Sequence, residues 1–116
     1  MRFTKLLLLA GTLTLAACGG YSAPSGPSAG GADVLISIGG NMNFSPGSAS
    51  VKVGQTVAWY NADSITHTAT ADKGSFDTGN LAGGATSAPI RMSSAGSFSY
   101  HCTIHPNMVG TLSVTQ

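Results

Sequence analysis

Charge is scarce in this chain. Its 116 residues carry 5 Lys+Arg and 4 Asp+Glu. No cluster of cations forms a basic patch, which excludes a nucleic-acid surface. Strong electrostatic steering of a partner is excluded as well. Cysteine is nearly absent, with Cys18 and Cys102 alone. No stretch has a capped helical period, there is no internal repeat, and no methionine-rich tract exists. The length suits one small domain.

The chain opens with a processing signal. Arg2 and Lys5 precede an apolar run, Leu6 to Leu15, that ends in Leu15-Ala16-Ala17-Cys18. A positive start, a short apolar run and small residues before the cut describe an export signal. The run is too short for a comfortable membrane-spanning helix. Leu15-Ala16-Ala17-Cys18 resembles the lipobox of bacterial lipoproteins. The resemblance implies that residues 1–17 are removed and that Cys18 is acylated and anchors the chain to a membrane. Several acyl chains hold firmly where one holds only marginally. After the cut, Lys52, Lys73 and Arg91 face Asp33, Asp63, Asp72 and Asp77, one net negative charge.

Residues 18–32 then form a Gly/Ser/Pro tether behind the lipidated cysteine, a composition that stays flexible. Acylation of Cys18 leaves Cys102 without an intramolecular partner. An odd cysteine in an exported domain is buried, paired with another molecule, or bound to something.

Residues 33–116 read as strands. Val34, Ile36 and Ile38 alternate with Leu35 and Ser37. Val51 and Val53 flank Lys52, and Gln55 to Tyr60 follow Gly54. Phe98 and Tyr100 alternate with Ser97, Ser99 and His101, and Leu112 and Val114 with Thr111, Ser113 and Thr115. Period-two runs bounded by Gly, Pro, Asn and Asp are strand signals. Several short strands at this spacing predict an all-β fold, a small sandwich or barrel.

The chemistry concentrates near the C-terminus. Tyr100-His101-Cys102-Thr103-Ile104-His105-Pro106-Asn107-Met108 contains Cys-x-x-His-x-x-Met on the connection between the last two strands. His67 lies 35 residues upstream of Cys102. Taken singly, a free cysteine is usually a buried apolar residue and Met readily fills core gaps; a lone histidine is most simply at the surface. Taken together, two imidazoles, a thiolate and a thioether are the ligand set of an electron-transfer copper site. Strand alternation turns His101 away from Cys102, so His101 reads as a surface residue. Trp59 reads as core, and Met42 as packing near the site.

The loop resembles that of the cupredoxins, and most closely the short-loop amicyanin branch, in which the cysteine, histidine and methionine are each three apart. Asn41 to Pro46 resembles the start of that family's second strand. Val51 to Asn61 is similar to the strand pair before its first histidine, and Ala95 to Cys102 to the strand that delivers the cysteine. The resemblance covers nearly all of residues 33–116. It implies a Greek-key β-sandwich with one type 1 copper ion per chain, held by His67, Cys102, His105 and Met108. It further implies a monomeric one-electron carrier rather than an enzyme. Its partners would be redox proteins of the bacterial periplasm or cell envelope, such as a dehydrogenase, cytochrome or oxidase. Pro106, Met108 and Val109 are expected to form a small apolar docking patch around His105.

Two positions depart from the short-loop pattern. Ile104 stands where these relatives carry proline, and Thr68 where they often carry asparagine. Both bear on the reduction potential rather than on the existence of the site. An isoleucine N–H, unlike proline, can be aimed at the Cys102 sulfur. Copper delivery or storage is the alternative function, but a carrier that releases its metal favours an open, methionine-rich site. A two-copper centre would need a second cysteine on the loop.

Overall fold

The computed structural model describes residues 31–116. The expected export signal, the expected acylation site Cys18 and the expected tether as far as residue 30 lie outside the described residues.

Eight strands follow in chain order: β1 (Val34–Gly39), β2 (Asn43–Ser45), β3 (Ser48–Lys52), β4 (Thr56–Asn61), β5 (Thr70–Ala71), β6 (Ile90–Arg91), β7 (Gly96–His101) and β8 (Val109–Thr115). They form two four-stranded sheets, ordered β2-β1-β4-β6 and β3-β8-β7-β5. β1 runs parallel to β4, and β3 parallel to β8; the other pairs are antiparallel. The predicted all-β sandwich is the observed one.

Alternation decides which side chains the sheets enclose. Ile36 and Ile38 of β1, Val57 and Trp59 of β4, Tyr100 of β7, and Leu112 and Val114 of β8 are all buried. Aromatic rings fill the centre. Trp59 stacks on Phe76 with centroids 5.2 Å apart, and Tyr100 meets Phe44 edge-on at 4.7 Å. Such pairs add roughly 0.5–1.5 kcal/mol each beyond their buried area. Tyr100 lies opposite Gly110 in the β7–β8 ladder, and a Cβ at Gly110 would overlap its ring. The glycine makes the seat for the tyrosine.

The Val51-Lys52-Val53 strand ends one residue earlier than its alternation suggests. Gly54 takes φ +91°, a conformation open to glycine. Gln55 closes the turn, donating its N–H to the Lys52 carbonyl at 3.0 Å and accepting the Lys52 N–H on Oε1 at 2.8 Å. Val53 is left in the turn, partly exposed. β5 and β6, two residues each, are too short to show a period.

The topology gives the sandwich one chemically distinct pole. β1 and β4 both end there. β7 arrives there and β8 departs, with His101 opposite Val109.

Candidate metal centre

β4 ends at Asn61, a fully buried amide. Its Nδ2 donates to the Ile65 carbonyl at 2.7 Å and to the Leu81 carbonyl at 2.8 Å, while its Oδ1 accepts the Asp63 N–H at 2.9 Å. That side chain ties the turn at residues 61–65 to the neighbouring segment. His67 and Leu81 then exchange backbone bonds of 3.0 and 2.7 Å. His67 is thereby held on both sides and has no exposed surface.

β7 delivers the sulfur. Tyr100 and Cys102 point into the core while His101 faces out, its Nδ1 2.6 Å from Asp72 Oδ1. Past the strand the chain curls back on itself: Cys102 N–H donates to the Met108 carbonyl at 3.0 Å, and Met108 N–H to the His105 carbonyl at 2.9 Å. The loop brings Cys102, His105 and Met108 to one end of the core. Met108 is 2% exposed.

The two imidazoles flank the sulfur. Nδ1 of His67 and Nδ1 of His105 each lie 3.8 Å from Cys102 Sγ. The ring centroids are 4.9 Å apart, and the candidate donor atoms of His67, Cys102 and His105 all fall within 4.8 Å of one another. No other such cluster of three His, Cys, Asp or Glu side chains occurs among the described residues.

Electrostatics favour the thiolate form of the sulfur. Burial pushes the Cys102 thiol up, but the N–H groups of Thr68 and His105 and the two imidazoles outweigh it and bring it down to about 6. At neutral pH the sulfur is mostly thiolate, the form that binds metal. Burial disfavours a charged His67, yet Asp63 and Cys102 together raise it above its usual range. Asp63 Oδ2 accepts a hydrogen bond from His67 Nε2 at 2.9 Å. That bond commits the Nε2 proton to the carboxylate and leaves Nδ1 free to face the sulfur.

The sulfur's backbone donor lies away from Ile104. Thr68 N–H reaches Cys102 Sγ at 3.3 Å, and His105 N–H also stabilises the thiolate. The expectation for Ile104 is corrected: its N–H is not among the sulfur's donors, and its side chain is exposed. The docking patch is corrected too. Met108 turns inward under the loop closure and offers almost no surface, whereas Ile104, Val109 and Met42 are exposed. A shallow groove of about 510 Å³ at this pole is lined by Met42, Ile104, His105 and Pro106 among others. His101, as expected, stays off the site.

Three contributors to the site are not apparent from the sequence: Asp63, Thr68 as a donor, and Thr103, whose N–H donates to Thr68 Oγ1 at 2.9 Å. Thr68 and Thr103 adjoin His67 and Cys102, which is the signal that could have marked them. Nothing in the pattern marks Asp63.

The family model for copper binding proteins of the plastocyanin/azurin family matches residues 32–115. The chain belongs to this family. Its cofactor is copper, and the clustered nitrogen, thiolate and thioether donors fit one ion, since thiolate and thioether suit Cu(I) and imidazole suits copper generally. Among solved structures, it is similar to a purple cupredoxin from Nitrosopumilus maritimus at 29% identity and TM-score 0.65, covering 72% of this chain and 100% of that one. A mutant of amicyanin in its reduced state matches at 31% identity and TM-score 0.59, over 72% of this chain and 82% of that one. A copper-containing nitrite reductase from Thermus scotoductus SA-01 matches at 28% identity and TM-score 0.65, but over 22% of its own length and 72% of this chain. A search of curated protein sequences finds no match.

Proposed function

We propose that this cupredoxin is a one-electron carrier of the bacterial cell envelope, with His67, Cys102, His105 and Met108 as its copper ligands. The observation that carries the reading is the gathering of both imidazoles around Cys102 Sγ, Nδ1 to sulfur 3.8 Å on each side. Copper held there supplies a Cu(II)/Cu(I) couple.

The protein's part is to hold the donors still and to lead the electron out. His67 is locked into the turn after β4, and Cys102 is fixed at the end of β7. His105 is only partly buried and lines the open groove, so its ring edge is the exit to the surface. Met42 and Ile104, 41% and 46% exposed, flank that exit together with Pro106 as apolar surface. Weak redox encounters use small interfaces of this kind. A dehydrogenase, cytochrome or oxidase would dock here. The buried sulfur and buried His67 disfavour metal release, which argues against copper delivery or storage as the main role.

The reading places the protein on a membrane through acylated Cys18, with the tether between anchor and sandwich. Two measurements test it. Adding Cu(II) should give an intense colour that dithionite bleaches and that Cys102→Ser abolishes, because the band requires sulfur; an intensely coloured serine variant refutes the ligand assignment. Cys18→Ser should leave the protein unprocessed or release it from the membrane fraction. A processed serine variant that stays membrane-bound refutes the anchor.

A further inference from the structure

The two histidines of the site are held differently. His105 sits on the loop, partly exposed. His67 is fully buried, and its outer nitrogen meets Asp63 Oδ2 at 2.9 Å. Asp63 is the one carboxylate bonded to either ring among the described residues.

That carboxylate is itself built in. Its side chain is 15% exposed. Oδ1 accepts the Ser64 N–H at 2.7 Å, and the Asp63 N–H is bound by the buried amide of Asn61 at 2.9 Å. The backbone behind it is packed so closely on Gly83 that a Cβ there would lie 2.7 Å from the Asp63 carbonyl oxygen. One carboxylate oxygen is tied to the turn and the other to the ring. A side chain held at both ends transmits its position to the group it touches.

We propose that Asp63 is a positioning residue of the copper site, fixing His67 with Nε2 protonated and Nδ1 turned to the metal, and lowering the reduction potential through its charge. The proposal rests on the copper-carrier reading and assigns the tuning of that same site. A carboxylate on the outer nitrogen of a ligating histidine fixes the tautomer and raises the ring's basicity. Its negative charge also favours the more positive of two metal states. Both effects support Cu(II) more than Cu(I). Partners of this kind are worth 10–100-fold in metal affinity. If the loss falls on Cu(II), each tenfold appears as about 59 mV in a one-electron potential.

The test is a redox titration of the copper-loaded chain. Asp63→Asn keeps an oxygen that can accept from Nε2 but removes the charge, and Asp63→Glu keeps the charge. The asparagine variant should stay coloured with a midpoint raised by about 59 mV or more, a tenfold or greater loss of Cu(II) over Cu(I) affinity. The glutamate variant should return towards the wild-type value. An unshifted midpoint in Asp63→Asn with copper fully bound overturns the proposal, because a merely structural residue would change stability and leave the potential alone. If the variants do not fold, proton NMR of the wild-type Cu(I) protein decides. A slowly exchanging Nε2–H on His67, bonded to a carboxylate, is expected; a ring protonated on Nδ1 or exchanging freely overturns it. A wild-type chain that takes up copper without colour overturns the carrier reading and this proposal together. A coloured wild type with an unshifted asparagine variant overturns this proposal alone.

Discussion

Thr68 N–H and Cys102 Sγ meet at 3.3 Å across 34 residues of chain. The same threonine joins the two ligand segments a second time through its hydroxyl. Thr68 Oγ1 accepts the Thr103 N–H at 2.9 Å and lies 3.1 Å from both Thr103 Oγ1 and Thr70 Oγ1. One buried residue beside His67 thus holds the residue beside Cys102, and the separation of the two ligands is set by the seam between them.

Thr68→Val keeps the backbone donor to sulfur and the side-chain shape but removes the hydroxyl. Thr103 is exposed, so its N–H turns to water once the acceptor is gone, and the net loss is that of an ordinary hydrogen bond, about 0.5–1.5 kcal/mol. The expected outcome is a protein that still takes up copper and colours but unfolds at lower denaturant concentration by that amount. Chemical denaturation of the two proteins checks it. Equal midpoints with equal slopes would show that the seam contributes nothing.

The long strands and the four candidate donors were legible in the sequence for a physical reason. A strand's side chains alternate over two residues, and three of the donors sit within seven residues of one loop, so both patterns are local. What the pattern hid depends on contacts that folding creates. Asp63 reaches His67 only because Asn61 ties the turn to the Leu81 segment. Thr68 reaches the sulfur only because the antiparallel pairing of β5 with β7 brings residues 68 and 102 together. Met108 looked like docking surface because its neighbours are exposed, whereas the bond from Cys102 N–H to its carbonyl draws it under the loop.

Gly110 carries a prediction about the core. Tyr100 lies opposite it in the ladder and its ring fills the space that a side chain would need. Tyr100 is buried and packed against Phe44, Trp59 and Phe76, so it has little room to give. Overpacking a tight core costs about 1–3 kcal/mol and at times more. Gly110→Ala should therefore lower the thermal midpoint, and since Tyr100 is two residues from Cys102, it should also shift the copper absorption band. A fully stable alanine variant would mean that the ring moves aside freely.

Cys102 carries a prediction about protons. In the folded, metal-free protein the thiol titrates at about 6, against its ordinary 9.0. The thiolate absorbance in the ultraviolet should then rise through about pH 6, and the rise should vanish in Cys102→Ser. The folded value lies below the unfolded one, so the unfolded state holds the proton longer as pH climbs. The thiol's contribution to stability is fully present above about pH 9 and is lost as pH falls through about 6. Absorbance that rises only near pH 9 would contradict the hydrogen bonds drawn to this sulfur.

Ile104 carries the last prediction, and there the geometry reverses the sequence-based expectation. Hydrogen bonds to a ligating sulfur draw electron density from the metal and raise its potential. With a proline in place of Ile104, a donor at that position would be lost and the potential would fall. The sulfur, however, takes its backbone bonds from Thr68 and His105. The Ile104 side chain is 46% exposed at the rim of the groove. Ile104→Pro should accordingly leave the midpoint potential at the wild-type value with copper fully bound. Its effect should appear instead at the docking surface, where a bulky apolar side chain is replaced by a smaller ring. Electron transfer to a partner that docks at this pole should slow at low partner concentration, where association limits the rate, and approach the wild-type rate at saturation. A redox titration and a partner-concentration series on the same variant separate the two effects. A lowered midpoint would restore Ile104 N–H as a donor to the sulfur and would require the loop to be rearranged when copper is bound.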